Sequence, residues 1–231
     1  MSINSGDFKY LSFDCYGTLV DWEQGILSSL ESVFGNYEAV SKVAMLQSFA
    51  KWEAHFEAGA FLNYREVLTR VQAEMCREFS VSCDNPTVLP DSVSTWKPFA
   101  DSTLALRHLK QHFKLAILSN VDREMFAGTC RLLDFEFDLV CTAEEIGAYK
   151  PSLDNFHFLL DRLDCDRSQL LHVAQSVFHD HVPAAKLGIQ SVWVNRPSLI
   201  PGQGVTKSVD MQPSHQVTSM AELVQLLMPL G

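Results

Sequence analysis

Residues Lys9 to Leu19 read KYLSFDCYGTL: a short apolar run breaks at Asp14 into a turn that carries Tyr16, Gly17 and Thr18. A run of that length, closed by a glycine turn, is a buried β-strand. Outward from it the rhythm changes. From Asp21 to about Val81, apolar residues recur at helix spacing: Ile26, Leu27, Leu30, Val33 and Phe34, then Met45, Leu46, Phe49, Trp52 and Phe56, then Val67, Val71, Met75 and Phe79. Cys83 to Pro98 holds three prolines and several turn residues, which predicts a connection with a short helix around Pro90 to Trp96.

Beyond Thr103 strands and helices alternate. Predicted helices cover Leu104 to His112, Arg123 to Leu133, Leu153 to Leu163, Val182 to Leu187 and Met220 to Leu227. Predicted strands cover Lys114 to Leu118, Phe137 to Cys141, Leu171 to Ala174 and Ser191 to Val194, with a last short one at Val217 after a polar stretch from Pro197 to His215. Alternation of this kind predicts an α/β fold, a parallel sheet between two helical layers of Rossmann type. Residues 1–20 and 97–231 then form the core domain, and the helical stretch 21–96 an inserted cap.

The 231 residues suit such a core plus insert, and 47% hydrophobic with 20% charged residues gives a chain that folds. Net charge is −10, from 28 acidic and 18 basic residues, which disfavours nucleic acid and anionic membranes as partners. The six cysteines form no C-x-x-C pair and no zinc-type set with histidine, so free thiols in a reducing, cytoplasmic setting are expected. No apolar leader or membrane-length run is evident, and no internal repeat. The first turn has neither G-x-G-x-x-G nor a P-loop, so no dinucleotide or nucleoside triphosphate is expected there.

Ligands of parallel sheets sit beyond the carboxyl ends of the strands. Four polar clusters fall at such ends: Asp14, Tyr16 and Thr18; Ser119 and Asn120; Lys150 in GAYKPS; and Gln175, Ser176, His179 and Asp180. On these clusters the chain resembles the haloacid-dehalogenase-like (HAD-like) superfamily, and within it the type II 2-haloacid dehalogenase branch. FDCYGTLVD resembles the first motif, LAILSN the second, AYKP the third and AQSVFHD the fourth, in order over nearly the whole chain.

The resemblance implies roles. Asp14 is the nucleophile, forming a covalent ester that divides one hard step into two. Lys150 keeps Asp14 ionised, as a nearby opposite charge does, and Thr18 fixes one of its oxygens. Asp180 positions the hydrolytic water or pairs with Lys150. Tyr16, Ser119, Asn120, Gln175 and Ser176 are assigned to the substrate, a small anion, with Ser119 and Asn120 donating to its oxygens. No metal is implied for a dehalogenase. The superfamily's phosphatases carry an aspartate where Tyr16 stands, as general acid, and a second where Gln175 stands, to hold Mg²⁺. Neither residue here supplies that chemistry.

The chain also departs from the dehalogenases. The cap arginine has no counterpart in Leu46 to Trp52 beyond Lys51, an asparagine is replaced by Val177, and a tyrosine by Phe156. His179 and His181 flank Asp180 and are candidates for the base, since histidine titrates near neutrality. Trp22, Phe49, Trp52, Phe56 and Phe61 are read as cap core ahead of pocket wall, and Arg196 as a structural ion-pair residue. Two alternatives stay open: a Mg²⁺-dependent phosphatase of a small metabolite, and a HAD-fold protein with a binding role. A homodimer is open as the assembly.

Overall fold

Alternation along the first strand assigns its side chains to two faces. In the computed structural model, which describes residues 3–35 and 40–228, β1 (Tyr10–Phe13) sends Leu11 and Phe13 into one buried apolar cluster and Tyr10 into another. With both faces covered it is a central strand. The remaining strands are β2 (Lys114–Ser119), β3 (Leu139–Thr142), β4 (Leu170–Ala174), β5 (Gln190–Val194) and β6 (Gln216–Val217). All pair in parallel in the order β3-β2-β1-β4-β5-β6. Since β1 pairs with β2 on one edge and β4 on the other, the chain reverses its direction of winding there. The crevice at that switch point is where a ligand belongs.

Ten α-helices are described: α1 (Trp22–Phe34), α2 (Lys42–Glu57), α3 (Tyr64–Glu78), α4 (Val88–Ser92), α5 (Ser102–Leu109), α6 (Arg123–Leu133), α7 (Ala143–Ile146), α8 (Leu153–Leu160), α9 (Val182–Lys186) and α10 (Met220–Leu227). Starts follow local chemistry. Asp21, Ser41 and Asn63 accept from the backbone of Gln24, Ala44 and Glu66, which satisfies one orphan N–H of α1, α2 and α3. The four helices α1 to α4 lie between β1 and β2. The strands leading in and out of them run side by side, Asp21 N donating to Lys97 O and Phe99 N to Leu19 O, both at 3.0 Å. One buried cluster runs without a break from Leu11 and Phe13 through Ile26 and Leu30 to Leu46 and Val71.

The structure moves several predicted edges. β3 begins at Leu139 instead of Phe137, because the Phe137 ring packs on Phe126 and Phe135 while Asp138 accepts from Leu115 N at 2.7 Å and anchors the strand start. The helix expected over Leu153 to Leu163 ends at Leu160. The short helix of the connection runs Val88–Ser92, followed by a 3-10 turn at Val93–Thr95. Sequence spacing gave no hint that Val177–His181 winds as a π-helical turn ahead of α9. Such turns recur at functional sites, since they redirect one side chain out of helical register.

Candidate active site

Because strand and turn sequences alternate in register, the carboxyl ends of β1, β2 and β4 deliver their polar residues to one point. The β1 ladder continues one bond further, Asp14 N donating to Val173 O at 3.0 Å, so Asp14 is held by the sheet itself. The chain then turns at Gly17, whose φ of +91° suits glycine. This brings Thr18 Oγ1 back to donate to Asp14 Oδ2 at 2.7 Å, while the same oxygen accepts from Gln175 N at 2.9 Å.

Lys150 is the hub. Its Nζ donates to Asp14 Oδ1 at 2.9 Å, Asp180 Oδ1 at 2.7 Å and Leu118 O at 2.9 Å. The residue is 2% exposed. All three ammonium hydrogens are therefore used, and the two carboxylates are tied through one cation. Burial alone would push the lysine down; the charges of Asp14 and Asp180 outweigh it and hold it above its ordinary value. Asp180, also buried, is held well below the usual carboxylate range by Lys150 and by His172, against the effect of burial. Burial raises the Asp14 carboxyl above that range, with the Lys150 charge acting in the opposite sense and Asp180 adding to the rise.

His172 was not expected at the site. It sits in mid-β4 with no exposed surface, Nε2 2.9 Å from Asp180 Oδ1 and Nδ1 2.8 Å from Ser12 Oγ. Its signal in the sequence is an ionisable residue inside the apolar run LLHVA. It fixes one oxygen of Asp180; the other, Oδ2, is buried and meets no partner among the described residues. Ser119 Oγ is likewise buried and unpartnered. Both residues line a cavity of about 60 Å³ together with Asp14, Lys150 and Ser176.

The helices close that cavity from the other side. Trp22 of α1, Glu53 and Glu57 of α2 and Tyr64 of α3 form the wall. An outer vestibule of about 380 Å³ shares Trp22, Glu53, Glu57 and Lys150 and adds Ala50, Ala54 and Phe178. Neither glutamate was singled out from the sequence. Tyr64 Oη donates to Glu53 Oε1 at 2.6 Å. Burial raises Glu53 to about 7, and burial together with Glu53 raises Glu57 well above the carboxylate range.

Other expected residues take different places. Asn120 lines the cavity, but its Oδ1 accepts from Lys150 N at 2.7 Å and its Nδ2 donates to Lys150 O at 3.2 Å, so it clamps the lysine backbone. Tyr16 presents its ring; its hydroxyl is 2.7 Å from Thr129 Oγ1, and burial pushes that phenol far up. The Gln175 side chain points away from the cavity and donates to Gln203 O at 3.1 Å. Ser176 caps the π-helical turn through His179 N at 3.1 Å. Lys51 is half exposed and pairs with Glu78 at 3.1 Å, so no cation of α2 reaches the cavity.

His179 lines the cavity, and burial lowers it to about 4. His181 is not a candidate base. Its Nε2 donates to Ala174 O at 3.0 Å, Nδ1 faces Ser191 Oγ at 2.8 Å, and burial lowers it to about 4, which leaves a neutral ring with both nitrogens engaged. Of the aromatic residues, Phe49 is fully buried and Trp52 bonds Glu78, as the cap-core reading expects, whereas Trp22 is wall. Arg196 forms the expected ion pair, with Asp101 at 2.9 Å.

A six-stranded parallel sheet between helices, with a lysine between two aspartates at its switch point, defines a Rossmann-type α/β fold with a candidate active site. The family profile "haloacid dehalogenase-like hydrolase" matches residues 8–180, and the chain belongs to that family. It is 27% identical to (S)-2-haloacid dehalogenase 1 of Pseudomonas sp. (strain CBS-3), over 94% of this chain and 96% of the relative. It is 24% identical to the pyrimidine 5'-nucleotidase YjjG of Escherichia coli (strain K12), over 90% of this chain and 76% of the relative. In fold it matches an L-2-haloacid dehalogenase of Xanthobacter autotrophicus with chloropropionic acid covalently bound, at TM-score 0.80, 18% identity and coverage of 97% of this chain and 100% of the other. No helix among the described residues is long and apolar enough to cross a membrane.

Proposed function

We propose that the chain hydrolyses a carbon–halogen bond in a small 2-haloacid, with Asp14 as nucleophile. The observation that carries the reading is the Lys150 bridge between Asp14 and Asp180 at 2.9 and 2.7 Å, facing a cavity into which Ser119 Oγ and Asp180 Oδ2 come unpartnered. Ser119 Oγ receives the substrate carboxylate. An Asp14 oxygen attacks the halogen-bearing carbon; a C–O bond forms and the carbon–halogen bond breaks. Asp180 Oδ2 orients a water against the Asp14 carbonyl carbon. Addition of that water releases the 2-hydroxy acid, restores the Asp14 carboxylate and leaves one proton for solvent. Lys150 neutralises both carboxylates throughout, and Thr18 fixes the Asp14 oxygen it touches. Segment 21–96 acts as the cap that shuts this cavity.

No cofactor is needed on this reading. The residues do not suit a divalent cation: Gln175 stands where an anionic ligand is needed and its side chain turns to Gln203, and the Lys150 ammonium already occupies the space between Asp14 and Asp180. The relation to a nucleotidase favours one second reading, a phosphatase with the same nucleophile. The reaction is placed in the cytoplasm, on a small anion, with no macromolecular partner required.

Mass spectrometry of the Asp14 peptide after a single turnover in H₂¹⁸O tests the proposal. Label in Asp14 with 2-chloropropionate, absent in Asp14→Asn, is the expected result. No label and no halide release overturns it. Mg²⁺-stimulated hydrolysis of p-nitrophenyl phosphate, lost in Asp14→Asn, replaces it with the phosphatase.

A further inference from the structure

A departing halide leaves opposite the attacking atom. Asp14 attacks from the sheet side, so the leaving atom moves toward the helical wall. In this chain that wall holds Glu53 and Glu57, one turn apart on α2, and no cationic side chain of that helix. Two ionised glutamates there would repel both the substrate anion and the halide. Protonated, they are hydrogen-bond donors. That the cavity is built for a ligand is indicated independently by Ser119 Oγ, 1% exposed and without a partner among the described residues.

The two carboxyls are not equivalent. Glu53 already accepts the Tyr64 hydroxyl hydrogen at 2.6 Å. Burial and the Glu53 charge both raise the Glu57 carboxyl, while Lys150 and the Asn120 amide act in the opposite sense. Further groups face Glu57 across the cavity and vestibule: Asp14, Asp180 and His179 from the sheet side, Tyr64 and Tyr149 beside it, and Lys207 at the outer rim.

Resting on the Asp14 reading above, we infer that Glu57 is a further catalytic residue, a proton donor to the departing atom, on which loss of fluoride depends more than loss of bromide. The step balances. Asp14 carboxylate, R–F and the Glu57 carboxyl give the Asp14 ester, HF and the Glu57 carboxylate; ester hydrolysis consumes one water, yields R–OH, and returns a proton to Glu57. A general acid of this kind contributes about 10²–10⁴-fold where the leaving group is poor and little where it is good.

The test compares 2-fluoropropionate with 2-bromopropionate on the full chain, wild type against Glu57→Gln. Glutamine keeps the shape and a donor but has no proton to give. Fluoride release is expected to fall at least tenfold in kcat, with bromide release changed less than threefold. The wild-type fluoride rate falls at alkaline pH, and Glu57→Gln loses that limb. Glu53→Gln removes a like charge and moves the limb to lower pH. Equal effects of Glu57→Gln on both halides, or none, overturn the inference while Asp14 attack stands. If neither halide is released and no ester forms on Asp14, the nucleophile reading falls and this one with it.

Discussion

Lys150 has few neighbours that can replace it. Among the described residues it is the one lysine bonded to two buried carboxylates, and breaking such a pair by removing one partner costs roughly 3–5 kcal/mol. Lys150→Met keeps length and volume and removes the charge. Turnover is expected to vanish, and urea unfolding at pH 7 to show a loss of roughly that size. The pH dependence has a definite sign. In the wild type Asp180 is held below the ordinary range, so its contribution is present above about 3.9 and lost as pH falls further. In Lys150→Met the carboxylates lose their partner: the Asp180 value moves above the unfolded one, and the Asp14 value, already raised by burial, rises further. The deficit relative to wild type then shrinks as pH is lowered from 7 to 5. A deficit that stays constant across that range would refute the account.

Residue-scale chemistry was also where sequence and structure diverged most. Asp14, Thr18, Ser119 and Asp180 were legible because each comes after an apolar strand, and strand ends in a parallel sheet share one edge; Lys150, separated from β3 by α7, was legible only through its loop AYKP. His172, Glu53 and Glu57 were not. The face that His172 takes depends on which strand lies beside β4, and the direction of the α2 polar face depends on how α2 packs over the sheet. Both are facts of tertiary structure. Gln175 follows its strand as expected, yet its side chain turns to Gln203, a choice made by a loop that strand periodicity does not reach.

At the level of elements, close helix approach rests on two glycines. Gly25 of α1 lies against the Trp96 indole, and Gly128 of α6 against Ser94; in each case an added Cβ would overlap its neighbour. Gly25→Ala is the informative change. Helix propensity favours alanine by about 1 kcal/mol, whereas overpacking costs about 1–3 kcal/mol or more. Trp96 is 2% exposed and its Nε1 donates to Ser92 Oγ at 3.0 Å, so the ring has little room to retreat. Packing should win, and Gly25→Ala should lower the urea midpoint. A neutral or raised midpoint would mean that the indole moves freely.

Across the whole molecule, Arg196 joins parts distant in sequence. Its guanidinium donates to both Asp101 oxygens at 3.0 and 2.9 Å and to Thr18 O at 3.1 Å, and it lies 4.2 Å from the Phe99 ring centroid. Asp101 in turn accepts from Met220 N at 2.8 Å and starts α10. The turn after Asp14, the start of α5 and the last helix thus share one charge pair. Arg196→Ala should cost about 2–3 kcal/mol, by loss of charge-assisted hydrogen bonds and exposure of Asp101 to a partial vacancy. Arg196→Lys should recover little, because an ammonium cannot make the fork. Since Thr18 also holds Asp14, both variants should reduce turnover more than substrate affinity, as steady-state kinetics would read.

The central position of β1 has a consequence for how the protein is made. Tyr10–Phe13 leaves the ribosome before its partners, Lys114–Ile117 and Leu170–Val173. At about 5–20 residues per second of synthesis, this apolar strand waits on the order of 10 s with both edges open. The nascent helices α1 to α3 are the nearest surface that can shelter it. A chain shortened by removing those helices is expected to expose β1 to aggregation before the first strand pair can form.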